Sequence, residues 1–253
     1  MTHRILTDRA GGVAVVTIDA PDRRNALTVD LSAQLADAVS DAERDDDVHA
    51  LVVTGTPPAF CAGADLTALG SATEDGLRAV YRGFLAVAHC SLPTVAAVGG
   101  PAVGAGLNLA LAADVRLAGP DARFDARFLR LGIHPGGGMT WMLQRAVGRQ
   151  QAVAMTLFGE ILDGAGAVDT GLALRIVEGG HGDLVDAAVA LAAPAVEAPR
   201  ELVRATKRSM AVTRSLTDHD AAVDVELAPQ VASIESPAFA ERLTAMRERI
   251  SRR

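Results

Sequence analysis

Cysteine, lysine and long hydrophobic runs are all scarce in this chain, and each scarcity removes a class of protein. Two cysteines, Cys61 and Cys90, are too few for a disulfide framework or a metal cluster, so a reducing, cytoplasmic setting is expected. A single lysine, Lys207, stands among 24 basic residues, and 31 acidic residues bring the net charge to −7. Binding a nucleic-acid backbone needs a clustered excess of positive charge, so nucleic acid is not expected as a partner. One phosphorylated small molecule would need only a local basic spot. The first ten residues lack the apolar core of a secretory signal. The longest small-apolar stretch, residues 91–113, is broken by glycine and proline, which makes it a poor membrane span.

What is present suits a folded core. The chain has 253 residues, 49% of them hydrophobic and 22% charged. That is enough apolar material for one large domain, and too much for long disordered tracts. Short β-branched runs at residues 13–19 (VAVVTID), 50–55 (ALVVTG), 93–98 (PTVAAV) and 115–118 read as strands. Helical patterns lie between them, over residues 27–45 and from about Ala72 to His89, and another opens at Gly104. Apolar strands alternating with helices indicate an α/β chain with covered sheets. From about Gly136 onward the pattern is mostly helical, with helices expected over 184–193 and 197–212. At the end, Phe239, Leu243, Met246 and Ile250 share one helical face, which either packs on its own core or covers a neighbouring subunit.

Two turns carry the chemistry. Residues 59–66 (AFCAGADL) follow a buried strand, and residues 99–108 (GGPAVGAGLN) follow another and open a helix. Small side chains leave backbone N–H groups open to a ligand, Gly63 permits an unusual φ, and the helix start lies at the positive end of its dipole. Two such donors meeting on one carbonyl oxygen would stabilise an enolate or a tetrahedral anion. Either turn alone has an ordinary packing explanation; the pair, in this order and spacing, is far more specific.

Residues 21–27 (PDRRNAL), 60–66 (FCAGADL), 93–118 and 131–138 (LGIHPGGG) together resemble the motifs of the crotonase, or enoyl-CoA hydratase/isomerase, superfamily. The resemblance implies a spiral core of ββα units over residues 1–193. It further implies a helical oligomerisation region over 194–253, and a homotrimer or dimer of trimers. It implies an acyl-CoA thioester as substrate or ligand, with no other cofactor and no metal, in fatty-acid metabolism. By position, the N–H groups of Ala64 and Ala105 would hold the thioester oxygen. Arg24, Ala26, Ala62, Asp65, Leu66, Gly136, Met139 and Trp141 are the residues it places against CoA or the acyl chain. For Met139 and Trp141, core packing is an equal alternative, and for Asp65 a helix cap.

Hydratases of this kind use two glutamates, and their positions here read Asn108 and Phe128. Asparagine orients water but is no base at neutral pH, and phenylalanine does neither. Positioned acid–base groups contribute ~10²–10⁴-fold in rate, so ordinary hydratase activity is expected to be severely reduced. Asp125 and His134 are the nearest titratable candidates. Asp125 is either a replacement base or a loop carboxylate paired with Arg123 or Arg127; His134 is either catalytic or solvated. Three functions therefore stand open: an enzyme with non-standard acid–base residues, a non-catalytic acyl-CoA-binding protein for transfer or regulation, and a structural subunit.

Overall fold

The computed structural model describes residues 3–65 and 73–251. Its main sheet has six strands. They are β1 (Arg4–Ala10), β2 (Val13–Asp19), β3 (Ala50–Gly55), β4 (Thr94–Val98), β6 (Val115–Ala118) and β9 (Arg175–Ile176), in the order β1-β2-β3-β4-β6-β9. The β1–β2 pair is an antiparallel hairpin across Gly11-Gly12, and every later pairing in this sheet is parallel. A second sheet, β5 (Pro101–Val103), β7 (Arg123–Asp125) and β8 (Leu162–Asp163), lies in the order β5-β7-β8.

The strand sequences are apolar throughout because both faces of the sheet are covered. Ala14, Val16, Leu51, Val53, Ala96 and Val98 point into the larger core. There they meet α1 (Val29–Arg44), α2 (Glu74–His89) and α3 (Ala105–Ala112). The intervening Val13, Val15, Ala50, Val52, Val95 and Ala97 point the other way and are sealed by Leu184, Ala188 and Ala192 of α6 (His181–Glu197). That strict alternation is the period of two that an extended chain imposes.

The expected strands and helices are present with small shifts. Helix α1 begins at Val29, capped by the Thr28 side chain, because Leu27 is diverted into a bridge with Ala64. Strand β1 was not anticipated: RILTDRA is half polar and its outer face is exposed, so it lacks the apolar run that marks the inner strands. The remaining helices are α4 (Met139–Leu157), α5 (Gly164–Asp169), α7 (Arg200–Thr213), α8 (His219–Ile234) and α9 (Pro237–Ser251). None of the side chains of α7, α8 or α9 is buried. Among the described residues, no helix is long and apolar enough to cross a membrane.

Candidate active site

The two turns leave the same ends of β3 and β4, which are parallel neighbours, so their proximity follows from the sheet. They are stitched together at one point: Cys61 donates to the Pro101 carbonyl at 3.1 Å and accepts from Val103 N–H at 3.0 Å. This close approach requires glycine at 106, where a Cβ would overlap the Cys61 carbonyl oxygen. Gly63 has φ +107, and a Cβ there would lie 2.9 Å from the Val103 carbonyl oxygen and 3.8 Å from the Ala105 nitrogen.

The backbone geometry settles where the two alanine N–H groups point. Leu27 N–H donates to the Gly63 carbonyl at 2.7 Å, and Asn108 N–H donates to the Gly104 carbonyl at 3.0 Å. In a trans peptide the C=O and the following N–H lie on opposite sides. The Ala64 N–H therefore faces away from Leu27, and the Ala105 N–H faces out of the helix N-terminus. Among the described residues neither donates a hydrogen bond.

A buried residue that the sequence reading did not single out holds the first turn in place. Asn25, fully buried at φ +59, donates from Nδ2 to the carbonyls of Thr56 and Ala59 and accepts at Oδ1 from Ala20 N–H. Asparagine tolerates the left-handed region because its short polar side chain bonds local backbone. The only signal in the sequence was its place within PDRRNAL.

The other expected site residues fall into distinct settings. Arg24 is exposed, and its carbonyl accepts from Ala62 N–H at 2.9 Å; Ala26 and Ala62 are half-buried beside it. Asp65 is buried and forms an ion pair with Arg23 at 3.0 Å. Leu66 lies outside the described residues. Met139 is buried in the core, whereas Trp141 is 47% exposed, with the guanidinium groups of Arg145 and Arg214 over its ring.

Asn108 is 1% exposed and donates from Nδ2 to the Gly136 carbonyl at 2.9 Å. Phe128 is half-buried, with its ring tip 4.0 Å from where a Cβ on Gly104 would lie, so an apolar ring backs the second turn. Of the two arginines weighed for Asp125, Arg127 is the partner, donating twice at 2.7 and 2.9 Å. The Asp125 backbone carbonyl accepts from Gly104 N–H at 2.9 Å and so braces the second turn. Asp125 and Arg127 also line an open groove of about 640 Å³ with Val103, Glu160 and Asp163. His134 is exposed and its Nδ1 bonds the Pro135 carbonyl at 2.6 Å. Cys61 packs in the core, and burial pushes its thiol up to about 12, which removes it as a nucleophile at neutral pH.

Residues 8–251 match the model of a family described as enoyl-CoA hydratase/isomerase. The chain is 56% identical to a probable enoyl-CoA hydratase of Mycobacterium tuberculosis, EchA14, over 94% of each chain. It is 34% identical to the 1,2-epoxyphenylacetyl-CoA isomerase of Escherichia coli K12, over 70% of this chain and 71% of that one. The crystal structure of a putative enoyl-CoA hydratase from Streptomyces coelicolor superposes with a TM-score of 0.88 at 32% identity, covering 97% of this chain and 92% of the other.

Proposed function

The chain belongs to the enoyl-CoA hydratase/isomerase family, and from that premise we propose that it binds an acyl-CoA thioester and stabilises its enolate through the N–H groups of Ala64 and Ala105. The observation that carries this reading is the pair of outward-facing N–H groups on two turns held together at Cys61, each fixed by the hydrogen bond of its own peptide carbonyl. Donors fixed before the ligand arrives need no reorganisation when charge develops on the thioester oxygen. Arg24, Ala26, Ala62, Asp65 and Leu66 then line the CoA side, and Gly136, Met139 and Trp141 the acyl side. No cofactor beyond the thioester itself is called for.

The acid–base partner is the open part of this reading. An amide at 108 and a phenyl ring at 128 supply no proton acceptor, so ordinary hydration is slow. His134 and Asp125 are the titratable groups left to act. The commitment of the Asp125 carboxylate to Arg127 favours a second reading, in which the site captures an acyl-CoA without turning it over. The exposed apolar faces of α7–α9 support assembly as a homotrimer or a dimer of trimers. Two free, buried cysteines support a reducing, cytoplasmic setting.

One substitution tests the donor role without disturbing the helix. Ala105 is the first residue of α3, where proline is well tolerated because its missing N–H has no helical partner. Ala105→Pro is expected to retain the melting temperature and to lose ~10²–10³-fold in turnover or binding of acyl-CoA thioesters. An unchanged affinity would remove Ala105 from the site. Following enoyl absorbance alongside calorimetric binding, over a panel of enoyl-CoA thioesters, separates the two readings. Binding with no change in any thioester selects the non-catalytic one; failure to bind any defeats both.

A further inference from the structure

The backbone at Arg127 is unusual, and its consequences reach the second turn. Arg127 has φ +55 and ψ −15, a left-handed conformation that a residue with a Cβ keeps only where its surroundings hold it. What holds it is its own side chain. The guanidinium donates from Nε and Nη2 to one oxygen of the Asp125 carboxylate, at 2.9 and 2.7 Å. That carboxylate is 3% exposed and the arginine side chain 45%. The pair therefore closes the 125–127 loop with its negative charge inside and its positive charge on the wall of the groove. A carboxylate so buried is tolerated only while its partner stays, so the ion pair and the left-handed turn stand or fall together.

Two contacts carry this local geometry to the second turn. Strand β7 runs parallel to β5 with Asp125 opposite Val103, and one residue further on the Gly104 N–H donates to the Asp125 carbonyl at 2.9 Å. Past the loop, Phe128 N–H donates to the Ala126 carbonyl at 2.7 Å. The Phe128 ring and the Ala126 carbonyl oxygen then each lie 4.0 Å from where a Gly104 Cβ would be. Gly104 has φ +53 and ψ −112, and glycine has little intrinsic preference that would keep it there. Its dihedrals are set from outside, because both peptides that flank its Cα are anchored. The Gly104 carbonyl accepts from Asn108 N–H, an ordinary bond of the first helical turn, and the Gly104 N–H is held by Asp125. That second anchor depends on the 125–127 loop, and the peptide it helps to orient is the one that carries the Ala105 N–H.

We infer that Asp125 and Arg127 are positioning residues for the thioester site: their ion pair fixes the loop whose carbonyl anchors Gly104, and so sets the direction of the Ala105 N–H. The inference rests on the acyl-CoA reading above, and it gives the Asp125 carboxylate a role other than that of a base. Its readout is polarisation of the thioester carbonyl, which a role in stability alone would leave unchanged. Butyryl-CoA isotopically labelled at the thioester carbonyl carbon is bound to the full chain, and its C=O stretch is followed by infrared difference spectroscopy. The wild-type protein is expected to lower the stretching frequency. Arg127→Met is expected to lose about half of that shift, the share of one of two donors. Arg127→Lys, which keeps one charged donor, is expected to recover most of it. If the unpaired Asp125 charge prevents Arg127→Met from folding, combining it with Asp125→Asn removes that charge and is expected to show the same loss. A full wild-type shift in whichever of these folds overturns the inference, whatever happens to stability or affinity. A bound wild-type thioester with an unshifted carbonyl, or no binding at all, defeats the acyl-CoA reading and this one with it.

Discussion

At the scale of single residues, the site depends on side chains that do no chemistry. Asn25 bonds four backbone groups from full burial, and removing it leaves the buried ones among them without this partner. Asn25→Ala is expected to cost about 2–4 kcal/mol in urea unfolding, with acyl-CoA affinity falling alongside as the first turn loosens. Cys61 gives a pH signature. Burial raises its thiol to about 12, against roughly 8.5 in an unfolded chain. The unfolded state therefore releases its proton first as pH rises, and the associated stability is complete below that unfolded value and is lost progressively toward the folded one. Cys90, raised to about 11 by burial, acts in the same direction. Unfolding free energies measured between pH 7 and 10 should fall less steeply in Cys61→Ala than in wild type. An identical slope would show that the thiol ionises in the folded protein.

At the scale of elements, the first helix of the C-terminal region is fastened by charge rather than by apolar burial. Arg200, at the start of α7, donates to the carbonyls of Val48, Glu43 and Asp45, the last two at the C-terminal end of α1. A guanidinium there serves carbonyls the helix cannot satisfy and meets the negative end of its dipole. Lys207 reaches the Leu92 carbonyl and Asp114 at 2.8 and 2.6 Å, and Arg204 bonds Ser91. Arg200→Met is expected to cost about 2 kcal/mol and to expose residues 198–213 to limited proteolysis before the core opens. Equal protease resistance would mean that α7 is held by something other than these bonds. This fastening was illegible in the sequence, because a lone arginine after a proline carries no mark of partners more than 150 positions away.

At the scale of the whole molecule, the contrast lies between a sheet covered on both faces and three helices with no fully buried side chain. Leu227, Val231 and Ile234 of α8 and Met246 and Ile250 of α9 are exposed, and an apolar surface of this kind marks an interaction site. Sedimentation or light scattering is expected to give three or six times the 26.1 kDa chain mass. Leu227→Asp with Ile250→Glu should shift that value downward. A wild-type monomer would defeat the oligomer proposal and leave these faces unexplained.

By itself, the sequence was enough for the α/β class, the inner strands, the helical C-terminal region and the two turns, because period, β-branching and glycine placement are local properties. The likeness to known family members likewise rests on short motifs that can be read in order. The tertiary structure alone decided that Gly63 and Gly104 carbonyls are engaged, which turns the N–H groups of Ala64 and Ala105 outward. It also showed that Arg127, not Arg123, holds Asp125, and that the Asn108 amide bonds the Gly136 carbonyl. Each of these depends on chain segments distant in sequence arriving at one place. Direction and pairing are properties of packing, and no residue carries them alone.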